Sequence, residues 1–342
     1  MSEWNTQGPQ KFPLTIYRNA IEHEFTRFYP RKIIYLGVFI DNIYNIDISN
    51  GCFNGKFIFW AKNYFNHSAN DRSQFGGENY FTVVNGSSID IQPKITRYLD
   101  DKTNDTKEKT YISYVSYMIK GELSQDFNLK NYPFDTHTLK IVIEPTHDTA
   151  EDVLFGIDAN SLIPDYIDLG EWNIKSFDGY SGLREKETDY SDPLLIQKGS
   201  IWHIVPQVTF SIKIIRKFLP HLIKEIIPLL ILILMGYSNL FLTNENFDVK
   251  SAMAITGFLA AAAIHWNASN NIQVGYITAI DKFFLYSYAL FLLIAIEAVV
   301  SKILSDNISH SHFWFRICIP ILRIIFPIFL ALTWASVIYT HV

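Results

Sequence analysis

Cysteine is scarce in this sequence: Cys52 and Cys318 are the two among 342 residues. One lies in a polar stretch and the other in an apolar run near the end, so an intrachain disulfide is not expected. Catalytic signatures are lacking too. There is no GxSxG, no HExxH and no P-loop, so no enzyme activity and no cofactor are expected. Basic clusters are missing: 29 Lys+Arg face 34 Asp+Glu, for a net charge of −5, which leaves out a nucleic-acid partner. The acidic surplus falls entirely in residues 1–217, which hold 28 acidic and 23 basic residues, against six of each in 218–342. A weakly acidic first part is compatible with cations as partners. The opening MSEWNTQGPQKFPLT has no apolar signal core, so either a signal was removed from this numbering or export relies on something else.

What is present divides into a segment 1–31, a β-rich part 32–217 and an apolar part 218–342. TIYRNAIEHEFTRFY, residues 15–29, is expected to form a short helix. From Lys32 the pattern changes to rough alternation. IIYLGVFIDNIYNIDIS and CFNGKFIFWAKNYF, joined through Asn50-Gly51, predict a β-hairpin. FTVVNGSSIDIQPKITRYL, TYISYVSYMIKGEL, HTLKIVIE, WNIKSF and IWHIVPQVTFSIKII predict further strands. Asn66–Tyr80 and Asp100–Lys109 read as loops, and Asp178–Asp192 as a polar hairpin tip. Many short strands with turns between them predict an all-β, immunoglobulin-like sandwich. The last strand runs almost directly into the apolar part, with no long linker.

Four apolar spans are expected at about 218–242, 251–270, 278–300 and 317–340, each long enough to cross a bilayer. Lys250, Lys302 and Arg316 fall on one side, which the positive-inside rule makes cytoplasmic, leaving the sandwich outside. Lys224, Glu225 and Arg323 interrupt the spans, and snorkelling or pairing between subunits is the expectation for each. The second span differs from its neighbours. DVKSAMAITGFLAAAAIHWNASNN, Asp248–Asn271, is rich in small residues. Ala252, Thr256, Leu259, Ala263, Trp266 and Asn270 are spaced by fours and threes and share one face, polar toward its ends and apolar between. That is a pore wall if several subunits surround an axis. It is also a buried bundle helix if its small residues serve close packing. His265, next to that face, reads either as a pH-responsive element or as a packing histidine. His310 and His312 alone do not make a metal site.

A sandwich followed by four spans, the second rich in small residues, resembles the pentameric ligand-gated ion channels, the Cys-loop receptor family. The sharpest match is QDFNLKNYPFDTHTL, Gln125–Leu139, in which Tyr132, Pro133, Phe134 and Asp135 match the family's aromatic-Pro-Phe-Asp core. Gln125 and Leu139 stand where the loop cysteines would be, as in the prokaryotic branch that lacks the disulfide. Arg216 is similar to the family's arginine before the first span, and Pro228 to its first-span proline. The resemblance implies a homopentamer in a bacterial inner membrane that passes inorganic cations such as Na⁺ or K⁺. It also implies opening by a small agonist, a proton or a divalent ion. Asp248 and Glu245 would ring the cytoplasmic mouth, and Leu259 and Trp266 would close the pore by dewetting. Asp135 and Arg216 would belong to one charged cluster coupling the two parts, with Asn267–Tyr276 as a coupling loop. Three features depart from the family: Ala252 stands where a more polar residue is common, ENYFTVVNG lacks a Trp-x-Pro-Asp segment, and Asn267–Tyr276 lacks the proline often found there. Trp60, Tyr114, Tyr117, Phe155 and Tyr190 remain as aromatic candidates for an agonist site, each with core or surface packing as the alternative; Trp202 reads as core. A membrane-anchored receptor without a pore, and a membrane enzyme, are the other classes.

Overall fold

The computed structural model describes residues 12–13, 15–18, 32–66, 80–101, 110–186, 203–242, 247–270, 272, 274–305 and 317–341. Contacts divide the chain into two compact units. One comprises Met1–Phe127 and Thr136–Ile215; the other comprises Asn128–Asp135 and Arg216–Val342.

The first unit is built from two sheets. The strands are β1 (Phe12–Pro13), β2 (Thr15–Arg18), β3 (Lys32–Asp47), β4 (Cys52–Asn66), β5 (Phe81–Val83), β6 (Gly86–Asp101), β7 (Thr110–Ser124), β8 (Thr136–Pro145), β9 (Val153–Ile157), β10 (Leu162–Ile163), β11 (Trp172–Lys186) and β12 (His203–Arg216). One sheet runs β1-β10-β3-β4-β7-β6 with β9 also on β3; the other runs β2-β11-β12-β8-β5. Side chains alternate across each strand, so every second residue faces the core. Ile34, Leu36, Val38 and Ile40 do so from β3, and Phe53, Phe57, Phe59 and Ala61 from β4. From the other sheet come Leu139, Ile141 and Ile143 of β8, with Val208, Phe210, Ile212 and Ile214 of β12. Each such Ile, Leu or Phe contributes about 1.5–3 kcal/mol by leaving water.

The β3–β4 hairpin turns where Asn50-Gly51 predicts. Gly51 has φ +65°, a conformation that costs glycine nothing, and Asp47 accepts from the Asn50 backbone and amide. Two expectations are corrected. Thr15–Arg18 is a strand pairing parallel with β11, not the start of a helix, since Thr, Ile and Tyr suit a pleated edge and β11 offers the partner. β11 also continues through Asp178–Lys186, where a polar hairpin tip was expected, because it runs inside the sheet between β12 and β2, the latter pairing with Asp178–Tyr180. β9, buried along its whole length, and the short β10 carried no alternation to read.

Among its described residues the second unit holds four helices long and apolar enough to cross a membrane, so the chain is a multi-pass membrane protein. They are α1 (Phe218–Phe241), α2 (Phe247–Asn270), α3 (Ala279–Ser305) and α4 (Ile319–His341). α1 is not uniform: Leu222–Ile226 is a wider π turn, placed just before Pro228. Proline has no N–H to give to the carbonyl four residues back, so the preceding turn departs from the α pattern.

Candidate functional site

α2 begins with Asp248 in its first turn, where a carboxylate meets the positive end of the helix dipole. Its buried residues are Lys250, Ala254, Gly257, Ala261 and Ala268. Apart from Lys250 they are small because α3 is close: a Cβ on Gly257 would lie 2.4 Å from the Phe291 ring. Ala252, Thr256, Leu259, Ala263, Trp266 and Asn270 are all exposed. At about 100° per residue, the centre of that stripe lies roughly 190° from the centre of the buried face. Trp266 is 74% exposed and Leu259 60%. A tryptophan turned away from its own chain's packed face calls for a partner surface or a cavity. Asp248 is exposed at the foot of α2, and Glu245 lies outside the described residues.

Lys250 does not join Asp248 at the surface. Its side chain turns inward, its ammonium 3.3 Å from Glu297 of α3, and Ser301 donates to the same carboxylate oxygen at 2.7 Å. The Asn239 amide donates to the Lys250 carbonyl at 2.9 Å. Lys250 therefore adds no exposed positive charge at the foot of the helix. Glu225 and Arg323 likewise find partners within the chain, His221 and the Leu240 carbonyl, while Lys224 is exposed. Near the other end of α2, His265 packs between helices. Its ring stacks on Phe284 at 4.5 Å, Nδ1 lies 2.9 Å from the Tyr288 hydroxyl, and Nε2 lies 2.9 Å from Asp281. Asp281 also caps the start of α3 by accepting from the Thr278 backbone and hydroxyl.

Asn128–Asp135 and Arg216 both belong to the helical unit by their contacts. Arg216 donates to Asp135 twice, Nε to Oδ1 at 2.7 Å and Nη2 to Oδ2 at 2.9 Å, and both side chains are buried. This is the fork-to-fork geometry that guanidinium and carboxylate favour. The same guanidinium lies over the Tyr132 ring, 4.9 Å from its centroid. The Tyr132 hydroxyl reaches His221 Nδ1 at 2.8 Å, and Phe134 stacks on Phe218 at 4.8 Å. The Tyr132–Pro133 peptide is cis. The loop also caps α3: Ala279 and Ile280 donate their backbone N–H groups to the carbonyls of Lys130 and Tyr132 at 2.9 and 3.1 Å. Those N–H groups have no acceptor inside their own helix. In the stretch before α3, the Tyr276 hydroxyl accepts from the Leu129 backbone N–H of the same loop at 2.8 Å. The sequence singled out Asp135 and Arg216; it did not single out Tyr276, His221 or Glu225 as their neighbours.

The aromatic candidates in the first unit separate. Tyr117 and Phe155 are buried in the core, Tyr117 against Phe59 and Phe81 and Phe155 against Phe81, so neither lines an accessible box. Trp60 and Tyr114 point to the outer face of the first sheet. Trp60 lies over Gly37, where a Cβ would come within 2.3 Å of the indole, and donates its Nε1–H to Asp158 at 2.8 Å. Tyr190, Trp202, His310, His312 and Arg316 lie outside the described residues. Beside Trp60 is an open groove of about 540 Å³ lined by Tyr35, Lys62, Tyr64, Asp158 and Asn160 among others. Tyr35 and Tyr64 meet edge to face at 5.7 Å. Burial would raise the Asp158 carboxyl; hydrogen bonds from Lys62, Trp60 and Asn160 outweigh it and hold the group below the ordinary carboxylate range. This groove was not legible in the sequence, because its residues come from β3, β4 and the segment after β9.

No protein-family model matches the chain, and no curated protein matches it.

Proposed function

We propose that the chain is one subunit of a ligand-gated, cation-selective channel of the Cys-loop receptor type. In this reading five copies surround a pore, and an immunoglobulin-like sandwich domain lies outside a bacterial inner membrane. The observation that carries the proposal is the second span. α2 is packed on one side by small residues and leaves, on the opposite side, a stripe of Ala252, Thr256, Leu259, Ala263, Trp266 and Asn270. Around a fivefold axis that stripe lines the conduit. Leu259 and Trp266, about 10 Å apart along the helix, form two apolar rings that stop ions by dewetting. Asp248 makes a carboxylate ring at one mouth, with Glu245 beside it in the sequence, and this favours cations. The inward turn of Lys250 supports that sign, because its charge is matched by Glu297 and not set against Asp248.

An agonist, organic or ionic, opens the pore to the extent that it prefers the open arrangement. The loop carrying Tyr132, Pro133, Phe134 and Asp135 is the coupling element. It is continuous with strands β7 and β8 and supplies the caps of α3, while Asp135 holds Arg216 where α1 begins.

The test is current through bilayers containing the purified full chain, under asymmetric salt, with pH and divalent ions varied, together with the mass of the detergent-solubilised particle. Gated current reversing near the cation potential from a pentamer supports the proposal. A monomeric particle overturns the pore, and reversal at the anion potential overturns the role of Asp248.

A further inference from the structure

Asp248 is the second residue of α2 and Lys250 the fourth. Two residues make about 200° of turn and 3 Å of rise, so the two side chains leave the helix on opposite sides at nearly one level. Asp248 is exposed, at the helix end whose dipole favours an anion. Lys250 is a cation at that same end, where the dipole disfavours it, and it is only 1% exposed. A lysine so near a helix end ordinarily snorkels its ammonium to water. What holds this one inward is Glu297 of α3, 3% exposed, whose Oε1 lies 3.3 Å from Nζ. Ser301, one turn further along α3, donates to the same oxygen at 2.7 Å and orients it.

The pair is poorly suited to stabilising the fold. Replacing a buried ion pair by well-packed apolar residues is often neutral or stabilising. This one also leaves acceptors unused. Among the described residues, Glu297 Oε2 has no hydrogen-bond partner. Nor has Oδ1 of Asn239, whose amide donates to the Lys250 carbonyl. Buried oxygens in that condition weigh against the folded state. The use of the pair is therefore in where it puts the ammonium. Released from Glu297, the four-carbon stem of Lys250 would carry its charge to the watery end of α2, beside Asp248. In a ring of subunits this happens at every copy. At the effective permittivity near a protein surface, a unit charge several ångströms from an ion's path outweighs thermal energy. Such a ring of ammonium groups offsets the carboxylate ring that favours cations and admits anions.

We infer that Glu297 is a positioning residue for charge selectivity. From α3, away from the exposed stripe of α2, it keeps the Lys250 ammonium out of the ion path. The inference rests on the proposed pore and adds to it a determinant that does not face the conduit.

The experiment is the reversal potential in bilayers containing the purified full chain, under asymmetric NaCl, for wild type, E297Q, E297D and K250Q/E297Q. The cation-to-chloride permeability ratio should fall about tenfold in E297Q. It should fall less in E297D, which keeps the charge but draws it back by one methylene and serves where E297Q does not assemble. K250Q/E297Q should return to the wild-type ratio, because no ammonium remains to be released; a Glu297 that merely supported the fold would not be rescued this way. A second arm needs no current. Amines are acetylated with a water-soluble N-hydroxysuccinimide ester in mild detergent, and Lys250 is read by peptide mass spectrometry. Lys250 should be protected in wild type and labelled about tenfold faster in E297Q, the shift expected from losing one charge-assisted contact. An unchanged ratio in E297Q beside a cation-selective wild type overturns the inference and leaves the pore standing. A wild type that passes no cations overturns the pore, and the inference with it. Equal labelling of Lys250 in wild type and E297Q overturns the hold in either case.

Discussion

Replacing Asp135 by Asn removes the charge that faces a buried arginine while keeping the side chain's shape. Both side chains are almost fully enclosed, 2% exposed for Arg216 and 1% for Asp135. The guanidinium cannot shed its proton and has little water to turn to. Leaving one member of such a pair unmatched costs about 3–5 kcal/mol, against roughly 0–1 kcal/mol for a surface pair. D135N and R216Q should each lower the resistance of the full chain to unfolding in a mixed-micelle SDS titration by an amount of that order. The double variant D135N/R216Q should lose much less than the sum, because neither charge is then stranded. A coupling of 2 kcal/mol or more is expected for groups in direct contact. The Tyr132 ring supplies an internal check: Y132L removes the face under the guanidinium and should cost Arg216 a further 0.5–2 kcal/mol or so without abolishing the coupling. If the two single losses add within about 0.5 kcal/mol in the double variant, the pair carries no mutual energy and its proposed part in coupling falls with it.

Other outcomes follow from other parts of the molecule. Trp266→Ala should raise closed-state leak or shift activation in bilayer recordings; unchanged closed conductance and gating would remove Trp266 from the barrier. Gly257→Ala should destabilise the helical unit by about 1–3 kcal/mol through its clash with Phe291, and F291L should restore part of the loss; a silent G257A would mean that the helices part easily. In the sandwich, the folded Asp158 carboxyl sits below its unfolded value of about 3.8. Its contribution is therefore present above that pH and lost as the pH falls through the lower folded value. D158N should flatten the acid limb of a melting-temperature profile, and an unchanged limb would assign the acid sensitivity elsewhere. Trp60→Phe should cost about 1 kcal/mol by removing one hydrogen bond to the same carboxylate, read in thermal unfolding.

Much of the architecture was legible where a pattern has a period. The alternation in residues 201–215 and 137–144 predicts strands, and four long apolar runs predict spans. Local signals failed where long-range pairing decides. Thr15–Arg18 is a strand because β11 lies alongside, and Asp178–Lys186 stays extended because β11 runs inside the sheet between β2 and β12. The stripe on α2 could be written down from spacing alone, but spacing cannot say which face is covered; that depends on Phe291, some 34 residues beyond Gly257. Glu225 and Arg323 read as charges that interrupt their spans because the Tyr132 hydroxyl and the Leu240 carbonyl that meet them are far away in sequence, although His221 lies only one turn before Glu225. The aromatic candidates show the converse. Tyr117 and Phe155 were chosen for chemistry, and their positions in an alternating strand or a wholly buried one put them in the core.

The ring of Phe291 constrains how the helices move. It sits against Gly236 of α1 and Gly257 of α2, with a Cβ at either position meeting its Cε1 at 3.0 and 2.4 Å. The three helices are thus keyed on a single flat plate, and the two notches that receive it are the two places without a side chain. Twisting α2 about its axis by one residue would carry the notch away and drive a methyl or a larger group into the plate. Tilting α2, or sliding it by a fraction of a turn, keeps the notch on the plate. The joint therefore has one stiff coordinate and softer ones beside it, so a change of state in this unit is expected to run along tilt and not along rotation.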